Sequence, residues 1–110
     1  MQTARLYMLQ RITALLMAPL VLGHLVIMIV AIQGGLSTAE ILNRTQGSVF
    51  WFLFYGTFVL AVSVHASIGL RVIVSEMFGV QSLFLNVFTW ATGLTFLYMG
   101  ARAVLAVTML

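Results

Sequence analysis

This sequence predicts an all-α integral membrane protein with three membrane-spanning helices, on two observations. Hydrophobic residues make up 63% of the 110 positions and charged residues only 6%, too little polar surface for a soluble domain of this size. The apolar residues also gather into three long runs, each able to cross a hydrocarbon core of about 30 Å. The chain has no cysteine, which excludes disulfides, thiolate metal sites, iron–sulfur ligation by this chain and thiol catalysis. A net charge of +3, scattered over five arginines, makes no nucleic-acid footprint. Each charge therefore reads singly, as a topology marker or a site residue.

The first run covers residues 12–32 and follows Arg5 and Arg11. It is longer than a signal-peptide core, and Gly34-Gly35 leads into no small-x-small cleavage pattern, so it reads as a retained helix. Pro19 inside it should kink or loosen the helix, which neighbouring helices tolerate in a membrane. In the connection that follows, Ser37-Thr38-Ala39-Glu40 matches a capping box, placing a short surface helix over residues 38–44. Asn43-Arg44-Thr45 fits a glycosylation sequon, but three residues carry little weight.

The second run, residues 49–77, opens on the aromatics Phe50, Trp51, Phe52, Phe54 and Tyr55, an expected anchor at one interface. It closes at Arg71, Glu76 and Phe78-Gly79. The third run covers residues 83–104, with Gly93 and Gly100 on nearly one face, where a neighbouring helix can approach closely. Arg5, Arg11 and Arg71 bias the N-terminus to the inside. No repeat or second domain interrupts this single membrane-anchor unit of residues 1–110. Three helices bury little by themselves, so partner helices are expected.

Two histidines stand inside the spans, where ionisable groups are costly and mark function by default. His65 is followed one turn later by Gly69 on the same helix face, and then by Arg71 and Glu76. Neutral imidazole is a good axial ligand for haem iron, a glycine opens the helix surface to a flat group, and an arginine can pair with a haem propionate. Taken singly, His65 reads equally as a core imidazole bonded to a neighbouring helix, Gly69 as a packing notch and Arg71 as a snorkelling marker. The three together favour a cofactor. His24, on the first span, is the other candidate ligand. The two histidines can share one haem, serve two haems with ligands from another chain, or divide into one ligand and one bystander.

Where the first span enters the membrane, Arg11 stands with Gln10 and Thr13, and Tyr7 lies one turn earlier. A guanidinium, an amide and a phenol at that depth can hydrogen-bond the carbonyl oxygens of a quinone. The plainer reading makes Arg11 a positive-inside anchor and Tyr7 a belt aromatic. Glu76 is either a proton-relay carboxylate or a helix-end residue in water.

Two windows carry a family resemblance. Leu9-Gln10-Arg11-Ile12-Thr13-Ala14 resembles the "HR-[IV]-[ST]-G" entry to the first span of the cytochrome b anchor subunits of succinate dehydrogenase and fumarate reductase. His65-Ala66-Ser67-Ile68-Gly69-Leu70-Arg71, followed by Glu76, resembles that family's "H-x-x-x-G-[IL]-R…D" haem-ligand motif. The chain departs from the pattern at Gln10 (histidine in the family), Tyr7 (a quinone-site serine) and Met77 (a tyrosine of the smaller anchor).

The resemblance implies His65 as an axial ligand of a b-type haem, with His24 kept as a second ligand by the two-haem branches. It implies Arg71 near the propionates and quinone contacts from Arg11, Gln10 and Tyr7. The implied partners are a flavoprotein subunit, an iron–sulfur subunit and a second anchor chain or another copy of this one. The implied location is the bacterial cytoplasmic or mitochondrial inner membrane. Two other classes compete: a small oligomeric transporter or ion channel using His65, Arg71 and Glu76, and a structural anchor without haem.

Overall fold

The computed structural model describes residues 4–79 and 83–109. Four helices follow in order: α1 (Ala4–Gly34), α2 (Thr38–Thr45), α3 (Val49–Phe78) and α4 (Leu83–Thr108). Three of them, α1, α3 and α4, are long and apolar enough to cross a membrane, so the chain is an all-α membrane protein. α1 extends the apolar run backwards through Arg11, Gln10 and Tyr7 to Ala4. It continues through Pro19 as one helix, although proline offers no N–H to the preceding turn.

Ser and Gly punctuate these elements as the capping rules require. Ser37 Oγ accepts from the Glu40 amide at 3.2 Å and donates to Glu40 Oε1 at 2.8 Å, starting α2. Ser48 Oγ accepts from the Trp51 amide at 3.2 Å and starts α3. α3 ends at Gly79, whose φ of 64° is the left-handed conformation that glycine takes without strain.

The bundle is long and narrow, 48 × 23 × 22 Å, and α3 is its middle member, packed against α1 on one side and α4 on the other. Both pairs run antiparallel. Along α1 and α3, Gln10 meets Gly69, Thr13 meets His65 and Gly23 meets Phe54. Along α3 and α4, Ser67 meets Gly93 and Val59 meets Gly100. The two glycines of α4 thus face α3, and small or hydroxyl side chains (Ala61, Ser63, Ser67) are buried on the α3 side. Close approach through small residues is how helices associate where no hydrophobic drive separates helix from lipid.

Besides Gly23, the less exposed residues of α1 are Leu6, Gln10, Thr13, Met17, Leu20, His24, Ile27 and Ala31. Their alternating steps of three and four trace a single narrow seam against α3, as in a coiled coil. The rest of α1 is exposed and mostly apolar: Leu15, Leu22, Val26 and Ile32 each leave more than half their surface uncovered.

α2 is held to the far end of α4. Thr45, nearly buried, donates its hydroxyl to the Val107 carbonyl at 2.6 Å, and the Gly47 amide donates to the Thr108 carbonyl at 2.7 Å. These bonds satisfy carbonyls that a helix end leaves without intrahelical partners. They also bring the ends of α1 and α4 and the start of α3 to one end of the bundle. The start of α1, the end of α3 and the start of α4 lie at the other.

Candidate functional site

Polar side chains of all three spans converge on the end that holds the start of α1. The central contact joins α1 to α3: Thr13 Oγ1 lies 3.2 Å from His65 Nδ1. Thr13 is buried and His65 half-buried. The same hydroxyl sits 2.8 Å from the Leu9 carbonyl and 3.0 Å from the Gln10 carbonyl of its own helix. A threonine has one proton to give, and the back-bond to the preceding turn takes it. Its oxygen is then free to accept from the ring in the tautomer that carries the hydrogen on Nδ1. Nε2 carries no hydrogen bond among the described residues, and in that tautomer it holds the free lone pair.

One turn further along α3, a Cβ on Gly69 would stand 3.3 Å from Gln10 Nε2. The notch at Gly69 is therefore taken by an α1 side chain, where the sequence reading assigned it to a flat cofactor. Gln10 Oε1 is buried there without a hydrogen-bond partner. Gln10 faces the seam because its position falls on the α1 stripe that meets α3.

Tyr7 and Arg11 lie on a different side of α1. Arg11 Nη1 donates to Tyr7 Oη at 3.3 Å, with the guanidinium carbon 5.7 Å from the ring centroid. Both side chains are exposed. Of the three residues expected together at a quinone, Tyr7 and Arg11 form a pair and Gln10 is separated from them.

Arg71 turns to the opposite side of α3 from the Thr13 contact. Its Nη1 donates to Asn86 Oδ1 at 2.9 Å and to Thr89 Oγ1 at 3.1 Å, both on α4. Thr89 passes its own proton to the Leu85 carbonyl at 2.8 Å. Sequence reading missed Asn86 and Thr89. The available signal was two polar residues, i and i+3, at the start of an otherwise greasy span. Glu76 is exposed near the end of α3. His65, Arg71 and Glu76 thus have three different surroundings in this chain.

His24 belongs to the other end. Its ring meets Phe58 edge-on at 5.5 Å and Tyr55 at 6.1 Å between centroids. It borders a cleft of about 280 Å³ shared with Ile41, Thr45 and Gly100. At 1.5 Å per residue, Thr13 and His24 lie about 16 Å apart along α1, and His65 is level with Thr13. The two histidines are therefore at different depths, too far apart to share one iron within this chain.

No curated protein and no solved structure matches the chain at a significant level. A family model does match, described as the succinate dehydrogenase/fumarate reductase transmembrane subunit, over residues 2–109. The match covers nearly the whole chain, including every span and both polar ends. With three membrane-length helices and a polar cluster around His65, this integral membrane chain belongs to the succinate dehydrogenase/fumarate reductase transmembrane subunit family, whose members are subunits of an oxidoreductase complex.

Proposed function

We propose that the chain is the haem b-binding membrane anchor of a succinate:quinone oxidoreductase. In this role it holds the flavoprotein and iron–sulfur subunits at the membrane and lies on the electron path between them and quinone. The observation that carries the reading is the setting of His65, a half-buried imidazole whose Nδ1 is engaged by Thr13 and whose Nε2 is unpartnered. That donor set fits a haem. The porphyrin supplies four nitrogens, so one imidazole with a bare ring nitrogen suffices, and a cluster of three ligating side chains is not needed; none occurs among the described residues. When bound, the haem supplies one-electron redox chemistry.

The other residues have narrower tasks. His65 would hold the haem iron, and any second protein ligand would come from a second anchor chain or another copy of this one, because His24 is too distant. Arg71 is fixed by Asn86 and Thr89 through Nη1 alone, leaving further N–H donors for a propionate. Tyr7 and Arg11 present a hydroxyl and a cation at the membrane entry, suited to hydrogen-bond a quinone oxygen and favour its reduced form. Gln10 packs the α1–α3 seam. The end carrying Arg5, Arg11 and Arg71 faces the inside, so the soluble subunits dock there.

The test is an absorption spectrum of the purified membrane complex, oxidised and then reduced with dithionite. Soret and alpha bands that shift on reduction, and their loss in His65→Ala, are expected. A complex without such bands, or bands that survive His65→Ala, overturns the reading.

A further inference from the structure

We infer that Thr13 is a positioning residue for His65, selecting the ring nitrogen that ligates and setting the electron-donating strength of the imidazole. The inference rests on the haem reading above and extends it to a residue whose hydroxyl touches no cofactor. Three observations carry it. Thr13 is 6% exposed in the α1–α3 seam, so water does not compete for its hydroxyl. Its proton is directed to the Leu9 and Gln10 carbonyls, so toward His65 Nδ1 it offers only lone pairs, at 3.2 Å. Gln10 lies against Gly69 one turn away, and the absent side chain there lets α1 approach closely enough for Thr13 to reach the ring.

An imidazole that donates Nδ1–H to a fixed acceptor is held as one tautomer, with Nε2 as its basic nitrogen and its ring plane restrained. Donation to that acceptor also makes Nε2 a better electron donor, which favours ferric over ferrous iron. Thr13 therefore lowers the midpoint potential of the haem and tightens its retention.

The experiment uses the complete membrane complex with Thr13→Val, Thr13→Ala and Thr13→Ser. Val keeps the volume and Ala does not, but neither has an acceptor; Ser keeps it. In Val and Ala the midpoint potential rises and haem affinity falls, by about 10- to 100-fold for the loss of such a supporting hydrogen bond. Ser holds both close to the unsubstituted values. An unmoved potential in Val or Ala, or a Ser variant that behaves like Val, overturns the inference. On the unsubstituted complex, hyperfine spectroscopy of the ferric haem reads the Nδ1 proton directly: slow exchange into D₂O is expected, and immediate exchange overturns the inference. Failure of the haem reading itself shows differently, as bands missing from the unsubstituted complex or kept in His65→Ala.

Discussion

His24 packs edge-on against Phe58, ring centroids 5.5 Å apart, about two turns along α3 from His65. The pair fills space in the α1–α3 seam at the end where α2 sits. His24→Phe is therefore expected to keep both the haem bands and thermal stability. His24→Ala should keep the bands while losing about 0.5–1.5 kcal/mol of aromatic packing. Reduced-minus-oxidised spectra and thermal unfolding in detergent check the two halves separately. Loss of the alpha band in His24→Phe would return His24 to the ligand set.

Gly100 and Gly56 make a matched pair for testing how the bundle closes. A Cβ on Gly100 would stand 2.5 Å from Val59 Cγ1 and 3.0 Å from Cγ2, whereas a Cβ on Gly56 meets nothing within 4 Å. Valine is stiff about χ1 and cannot swing away freely. Gly100→Ala should cost about 1–3 kcal/mol of overpacking, and Gly56→Ala should be neutral or stabilising by up to about 1 kcal/mol of helix propensity. Melting temperatures in one detergent rank them; equal melting temperatures would show that α3 and α4 do not pack through Gly100.

Tyr7 and Arg11 form one exposed pair, so they should act together on quinone and not on haem. Arg11→Gln is expected to lower quinone reductase activity about ten- to a hundredfold, the effect of one charge-assisted hydrogen bond, with the haem spectrum unchanged. Tyr7→Phe should weaken quinone binding less, and the double variant should fall short of the product of the two. Steady-state kinetics with varied quinone, alongside the spectrum, decides this. Full activity in Arg11→Gln would reduce Arg11 to a topology marker.

Much of the site was legible as residue types and little of it as neighbours. His65, Arg71 and Arg11 stand out because a charge or an imidazole in an apolar run is costly enough to need a reason. Their partners do not stand out. On a soluble helix the apolar stripe names the buried face, but α1 is apolar nearly all round and its periodicity carries no such signal. Here the sparse polar residues Gln10, Thr13 and His24 mark the seam, together with small Gly23, and only the placement of α3 shows that they do. Arg71 was legible as a cation, but not its tie to Asn86 and Thr89, because that depends on the register of α3 against α4.

By itself, the sequence determined the membrane class, the three spans, the α2 capping box and the residues able to carry chemistry. These follow from composition and local pattern, since a lipid core demands helices of a given length whatever their neighbours. Tertiary structure alone decided that His65 meets Thr13, that Gln10 fills the Gly69 notch and that His24 lies a different depth away. Those outcomes depend on where two helices cross and in which register. Register is set by the close fit of glycines and hydroxyls along α3, a property of pairs of helices that no single run of residues contains.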